Sequence, residues 1–119
     1  MIPWVPEDER EVEKILLQHP VQSGRCVQAA RHVLVVAQRI DNDAKTMLIK
    51  VQGDEYSTRG ARFLCLKKPW SEQVSRWFHH ANVHVVEHYV DALTGSSGHD
   101  ESTYLERFFL YSEWLGIVI

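Results

Sequence analysis

The chain has 119 residues, the length of one ordinary domain and enough for a hydrophobic core without disulfide support. Hydrophobic residues make up 45% and charged residues 24%, as in ordinary globular proteins, and the formal net charge is −3. This charge gives no reason to expect a nucleic-acid or acidic-membrane partner. The sequence contains no apolar run of about 18 residues, so it predicts no membrane-spanning helix. The acidic N-terminal stretch lacks the apolar core of a signal peptide.

Two helices are predicted in the first third of the chain. The first covers residues 6–18, because Pro6 stands near its first turn and apolar residues recur on one face. The second covers residues 25–40, after a break at Pro20 and with Ser23 as its start signal. Apolar residues fill more than one stripe of this second helix, so we expect it to be buried on most sides.

The rest of the chain predicts strands and shorter helices. Strand patterns occupy residues 47–53 and 61–67, a short helix begins at Pro69 and runs to residue 80, and the strongest β pattern covers residues 82–93. The last segment, residues 102–119, opens with a Ser/Thr-x-x-Glu capping pattern and predicts a helix followed by a β-like tail.

This order of elements predicts a single α+β domain over residues 1–119, with N-terminal helices packed on a small antiparallel sheet. The two cysteines, Cys26 and Cys65, form no disulfide framework, so we expect both to be reduced. We interpret Cys65, inside an apolar strand pattern, as a structural residue.

Cys26 stands at the start of the second predicted helix, directly after Gly24 and Arg25. The backbone field at a helix N-terminus favours a negative charge, so a thiol there loses its proton more easily. A thiol nucleophile also needs a base within hydrogen-bond reach and a third residue that orients this base.

His84 and Asp91 are the candidates for the base and the orienting residue. If Glu87 and His88 formed a two-residue hairpin turn, His84 and Asp91 would be directly opposed neighbours on one face of the sheet. The carboxylate could then bind one imidazole nitrogen and leave the other for the thiol. Glu-His is, however, not a pair that tight hairpin turns prefer.

Three stretches carry a resemblance to a known family: "SGRCVQAARHVL", "VHVV" and "YVDALTG". Together they resemble the papain-fold toxin domains of bacterial polymorphic toxin systems, over about residues 20–98. The resemblance implies a papain-like fold, with Cys26 as nucleophile at the start of the central helix. It implies that His84 is the base and Asp91 the orienting residue, both from the antiparallel sheet.

The sequence departs from this family just before the cysteine, where papain-like enzymes usually carry an oxyanion amide. The chain has His19 and Pro20 there. Gln22 is the candidate oxyanion donor, because it lies in the loop that leads into the helix. The backbone N–H of Cys26 would supply the second donor.

The resemblance implies a bacterial toxin or effector domain that acts as a cysteine-dependent amide hydrolase, either a protease or a deamidase, or as an acyl transferase. The domain would be the toxic C-terminal module of a larger protein, delivered by a secretion system and acting in the target-cell cytoplasm. We expect a target-cell protein as substrate and a cognate immunity protein as partner. No metal, organic cofactor, nucleic acid or membrane is expected to take part.

Two other interpretations remain open: a non-catalytic protein-binding module, in which the same residues are core and turn elements, and a redox-sensing thiol at Cys26. Catalysis requires the side chains of Cys26, His84 and Asp91 to converge, whereas a binding module does not. A metal site is a further alternative, because His80, His84 and His88 would line one face of a helix. Their β-branched neighbours favour a strand, and no acid or cysteine completes a known ligand pattern, so we expect no metal.

Overall fold

A computed structural model of the chain describes residues 1–51, 64–72 and 79–119. The α+β prediction is confirmed: two N-terminal helices pack on a five-stranded antiparallel sheet. The helices are α1 (Pro6–Gln18), α2 (Cys26–Ala37) and α3 (Tyr104–Phe108). The strands are β1 (Lys45–Val51), β2 (His79–Val85), β3 (His88–Val90), β4 (His99–Asp100) and β5 (Leu115–Val118), in the spatial order β4-β3-β2-β1-β5.

The two N-terminal helices lie close to their predicted positions. Pro6 opens α1, and acidic residues in its first turn complement the positive end of the helix dipole. Helix α2 ends at Ala37, three residues before its predicted end. Its burial is confined to one face, which contains Val33 and Val36, while Val35 is 60% exposed. The prediction that α2 is buried on most sides is therefore wrong, because one of its faces has no described neighbour to cover it.

Two apolar clusters hold the domain together, one on each face of the sheet. The first lies between the helices and the sheet, and the second surrounds the aromatic residues of α3. Strand β2 lies between the two clusters and faces both, since alternate side chains of a strand point to opposite faces. Val83 and Val85 belong to the helix-side cluster, whereas His80 contacts the ring of Phe109 and His84 contacts the ring of Tyr89 on the other side.

The β2–β3 hairpin turns one residue earlier than predicted. Its turn residues are Val86 and Glu87, both with positive φ (46° and 64°), and His84 is paired with Tyr89. The predicted turn at Glu87–His88, which would have paired His84 with Asp91, is therefore wrong. A one-residue shift matters because it moves each cross-strand pair to a different partner.

Tertiary hydrogen bonds hold this turn in place. The backbone N–H of Val86 donates to the Asp41 carboxylate at 2.9 Å, and the carbonyl of Glu87 accepts from the N–H of Glu101 at 3.0 Å. A positive φ is uncommon for a β-branched residue such as Val86. The two contacts come from distant segments, so they could not be found from the local turn sequence.

Other differences occur in the second half of the chain. His79 and His80 belong to β2, so the predicted helix that ran to residue 80 is wrong at its end; its first part is a short 3₁₀ turn, Trp70–Glu72, and residues 73–78 lie outside the described part. Of the strand predicted over residues 61–67, Leu66 forms a single bridge with Phe109, while residues 61–63 also lie outside that part.

The final segment is α-helical for only five residues, and a 3₁₀ turn, Ser112–Trp114, leads into its β-like tail, which is β5. Thr103 precedes α3 but its side chain makes no capping hydrogen bond, so the predicted capping pattern is wrong here. The hydroxyl of Thr103 instead bonds the imidazole of His99 at 2.9 Å. Within the described ranges, no helix is long and apolar enough to cross a membrane.

Candidate active site

Cys26 is the first residue of α2, one residue after the predicted start of the helix and within its first turn as the sequence predicts. Gly24 stands two residues before it in the left-handed region (φ 71°), which turns the chain from the Val21–Ser23 turn into the helix and is the conformation that glycine adopts most easily. The Cys26 thiol is half-buried and interacts with the backbone N–H of Val27, in the first turn of its own helix. The helix start thus supplies both a field and a donor to the sulfur.

A gap in the sheet brings the thiol to strand β2. The last pair between β2 and β3 is Val83 with Val90, after which β3 ends and the chain leaves the ladder at Asp91. The backbone N–H of Ala81 lies beyond that last pair and interacts with the thiol of Cys26. The divergence of β2 and β3 therefore creates the space in which a helix residue and a strand residue meet.

His80 is the imidazole that lies beside the thiol. The ring is 2% exposed, and its Nε2 bonds Oδ2 of Asp91 at 2.9 Å. The side chains of His80 and Cys26 also interact by hydrogen bonding. The three side chains therefore form a linear series, from thiol to imidazole to carboxylate.

The Asp91 carboxylate is fixed by four donors. Its Oδ1 accepts from the backbone N–H groups of Leu93 at 2.9 Å and Thr94 at 3.1 Å. Its Oδ2 accepts from His80 and from the hydroxyl of Tyr104. With Asp91 only 4% exposed, this network satisfies a buried carboxylate that would otherwise be costly to place there. It also sets the orientation of the imidazole.

The electrostatic effects favour a charged thiolate and imidazolium. Burial disfavours ionisation of Cys26, but the hydrogen bond and positive charge of His80 and the N–H groups of Ala81 and Val27 outweigh it, so the pKa of the thiol is lowered. Burial also opposes protonation of His80, but the bonds to Asp91 and Cys26 outweigh that effect and raise the pKa of His80 from 6.5 to about 9. A lowered thiol pKa beside a protonated imidazole is a feature of reactive cysteines.

The raised pKa of His80 predicts a pH dependence of folding stability. Because the folded-state pKa exceeds the unfolded value, the stabilisation is fully present below pH 6.5 and is lost as pH rises to about 9. In a Cys26→Ser protein, which removes the titrating thiol beside His80, we expect urea unfolding to record a loss of at most about 3 kcal/mol in the free energy of unfolding across this range. Adding Asp91→Asn should flatten the profile. A flat profile in Cys26→Ser itself would contradict a charged His80–Asp91 pair.

His84, the predicted base, does not join this series. Its Nε2 donates to the Glu101 carboxylate at 2.6 Å, its side chain is 26% exposed, and its ring packs on Tyr89 at 5.2 Å. The hydrogen bond expected between His84 and Asp91 is therefore wrong, because the hairpin turn lies one residue earlier than assumed. Of the predicted set, the structure brings Cys26 and Asp91 together around a different histidine.

Sequence analysis missed His80 because it was assigned to the end of a helix. A signal for it existed: residues 80 and 84 differ by four and therefore share a face of any strand that contains both. With the observed register, Asp91 lies on that same face, diagonally across from His80. Extending the β pattern back to His79 would have offered both histidines as candidates.

A narrow cavity of about 20 Å³ adjoins the three side chains, with room for roughly one water molecule. Its remaining walls are mostly apolar and include Val21 and Ala92. His19 also lines it, and its Nδ1 donates to the carbonyl of Ile15 at 2.8 Å. Gln22, the predicted oxyanion donor, has its backbone in the Val21–Ser23 turn beside the cavity, while its side chain lies outside the described part of the structure.

In the three described ranges, no three His, Cys, Asp or Glu side chains are placed to hold a metal ion. His80, His84 and His88, which would align on a helix, lie on a β-hairpin and bond to different partners: Asp91, Glu101 and the carbonyl of Val86.

No protein-family model, no curated protein and no solved structure matches the chain.

Proposed function

We propose that this domain is a cysteine-dependent amide hydrolase or acyl transferase in which Cys26 is the nucleophile, His80 the general base and acid, and Asp91 the residue that orients His80. The observation that carries the proposal is the convergence of a helix-start thiol, a buried imidazole and a buried carboxylate, which come from three separate segments. A structural thiol needs neither partner. A nucleophile needs both.

The chemistry follows from the order of these groups. The Cys26 thiolate attacks the amide carbonyl carbon, and a carbon–sulfur bond forms while the carbonyl oxygen becomes negative. The backbone N–H of Cys26 is one donor that could stabilise this oxyanion. His80 then gives its proton to the leaving nitrogen as the carbon–nitrogen bond breaks, which leaves an acyl-thioester on Cys26.

The second half of the cycle regenerates the thiol. A water molecule or an amine attacks the thioester carbon, His80 takes a proton from this nucleophile, and the carbon–sulfur bond breaks. Water gives hydrolysis of a peptide bond or deamidation of a glutamine, while an amine gives acyl transfer. The three outcomes share the same thioester, so the residues of the site alone do not distinguish between them.

The biological setting that we propose is that of a papain-like toxin module in a bacterial effector, delivered by a secretion system to the cytoplasm of a target cell. The sequence resemblance and the α+β architecture, with Cys26 at the start of a helix packed on an antiparallel sheet, support this proposal. Its substrate would be a target-cell protein, and its producer would carry an immunity protein that blocks the site.

Proteomics can test the catalytic proposal and identify the reaction. Purified domain is incubated with a bacterial protein extract, and Cys26→Ala protein serves as the matched control. We expect one of three changes that depend on Cys26: new protein N-termini for a protease, glutamine-to-glutamate conversion for a deamidase, or new amide cross-links to amines for an acyl transferase. The absence of all three, with a folded wild-type protein, would favour the binding-module alternative.

A further inference from the structure

We propose that Tyr104 is a positioning residue of this site, which limits how strongly Asp91 holds the proton of His80. The inference rests on the proposed function of the triad formed by Cys26, His80 and Asp91, and it adds Tyr104 as a fourth member of the site. Tyr104 lies 13 residues beyond Asp91, in α3, and none of the sequence motifs pointed to it.

Tyr104 and His80 share one oxygen of the Asp91 carboxylate. Oδ2 of Asp91 accepts hydrogen bonds from both Nε2 of His80 and the hydroxyl of Tyr104. The other oxygen, Oδ1, is occupied by the backbone N–H groups of Leu93 and Thr94. A carboxylate oxygen that already accepts from a phenol carries less charge toward a second donor. Tyr104 therefore competes with His80 for the same negative charge.

Packing keeps Tyr104 in this position. Its side chain is fully buried, and its ring lies 5.0 Å from that of Tyr89, 5.2 Å from that of Phe108 and 6.0 Å from that of Phe109. These contacts leave the hydroxyl directed at the carboxylate. Burial, the charge of Asp91 and the hydrogen bond to it all raise the pKa of Tyr104. The phenol thus stays protonated and remains a donor at any pH at which the domain would act.

The competition between Tyr104 and His80 for the Asp91 carboxylate affects the proton transfer in the proposed reaction. The first half of the proposed reaction needs His80 to release its proton to the leaving nitrogen, and a general acid works best when its pKa is near the working pH. Asp91 alone would hold the imidazolium more tightly and make that release harder. Tyr104 weakens the hold while keeping the imidazole oriented, which is the role of a positioning residue rather than a reacting group.

Few other ionisable groups of the described residues lie near Cys26, His80 and Asp91. His19 lines the cavity beside Cys26, on the segment that precedes α2. Tyr89, from β3, packs against Tyr104 and against His84, and burial followed by the charge of Glu101 raises its pKa. Within the described residues, the hydrogen-bond partners of the Asp91 carboxylate are His80, Leu93, Thr94 and Tyr104, and not these groups. The matched control for Tyr104→Phe is therefore Tyr89→Phe, which removes a hydroxyl from the neighbouring ring.

The test is an NMR titration of the His80 imidazole in purified protein, which needs no substrate. In Tyr104→Phe we expect the pKa of His80 to rise by about 0.5–1 unit above its wild-type value, because the carboxylate charge is no longer shared. Tyr89→Phe should leave it within about 0.2 unit. An unchanged or lowered His80 pKa in folded Tyr104→Phe would overturn the proposal, since a purely structural role predicts no upward shift.

A second variant should shift the pKa of His80 in the opposite direction, and it keeps the tyrosine ring so that a folding defect cannot explain the result. Replacing Tyr104 with 3-fluorotyrosine, by site-specific incorporation, keeps the ring and hydroxyl and makes the phenol a stronger donor. We expect the pKa of His80 to fall, and a rise would overturn the proposal. Failure here is distinct from failure of the proposed function: an unreactive Cys26 would refute catalysis, whereas a reactive Cys26 with an unshifted His80 would refute only the role of Tyr104.

Discussion

Growth arrest is the expected result when the domain is expressed in the bacterial cytoplasm without an antagonist, and Cys26→Ala and His80→Ala are each expected to abolish it. Without the thiol no acyl-thioester forms. Without His80 the thiolate loses the imidazolium beside it and the leaving nitrogen has no proton donor. A plate assay with inducible expression measures the effect as a difference of several orders of magnitude in colony count.

The matched control for His80→Ala is His84→Ala, four residues along the same strand and on the same face. His84 bonds the partly exposed Glu101 rather than Asp91, so its loss should leave the arrest intact. The pair of variants decides which histidine acts as the base. If His84→Ala abolished the arrest while folded His80→Ala retained it, the assignment drawn from the structure would be refuted.

Two further comparisons sharpen this prediction. The double variant Cys26→Ala/His80→Ala should lose no more activity than either single one, because a nucleophile and its base act as a unit. Asp91→Asn should be milder, because Asp91 orients His80 and does not react. Each variant must first give a native thermal transition, since Cys26 begins a core helix. Full toxicity of folded Cys26→Ala would exclude thiol chemistry as its cause.

Cys26 and Asp91, two of the predicted site residues, lie in turns that are specified locally, whereas the cross-strand pair of Asp91 with His84 that the sequence suggested does not form. Cys26 follows Gly24 at a helix start, and a helix start can be identified from a few neighbouring residues. Asp91 lies in "YVDALTG", where its carboxylate accepts from the N–H groups two and three residues later. Such a turn is specified by the aspartate itself.

The proposed base, His80, could not be identified from a local signal, because the histidine that lies beside Asp91 depends on the register of the strands. The register of the β2–β3 hairpin is held by two hydrogen bonds. Asp41, 45 residues away along the chain, accepts one from the backbone N–H of Val86, and the carbonyl of Glu87 accepts the other from the N–H of Glu101. No local pattern identifies such partners. The fold class was less sensitive, since the alternation of apolar residues predicts strands whichever residue makes the turn. A one-residue error left the architecture intact and changed which histidine is proposed as the base.

Tyr104 illustrates a second limit. It lies in a short helix whose predicted cap is absent, and an apolar pattern treats a tyrosine there as core. Its core role is correct, since the ring is fully buried among aromatic neighbours. Only the three-dimensional placement reveals that the same residue donates to Asp91. A buried phenol that serves both packing and a polar network leaves no signal of the second role in the sequence.

Alkylation should distinguish a reactive thiol from an accessible one. Cys65 is exposed, whereas Cys26 is half-buried, so accessibility alone predicts that iodoacetamide modifies Cys65 first. The lowered pKa of Cys26 predicts the reverse order, because the thiolate is the nucleophile and Cys26 retains it as pH falls. At pH 6 we expect Cys26 to react faster than Cys65 by about tenfold or more, measured by mass spectrometry of each cysteine-containing peptide.

The histidine variants show whether this reactivity comes from the triad. His80→Ala removes the hydrogen bond and the positive charge that outweigh the burial of the thiol, so the rate of Cys26 alkylation at pH 6 should fall by at least about tenfold. His84→Ala should leave the rate close to that of wild type, because His84 bonds Glu101. Cys65 serves as an internal standard in every sample. Slow alkylation of Cys26 in the wild-type protein, at a rate equal to or below that of Cys65, would indicate a structural cysteine and remove the chemical basis of the proposed function.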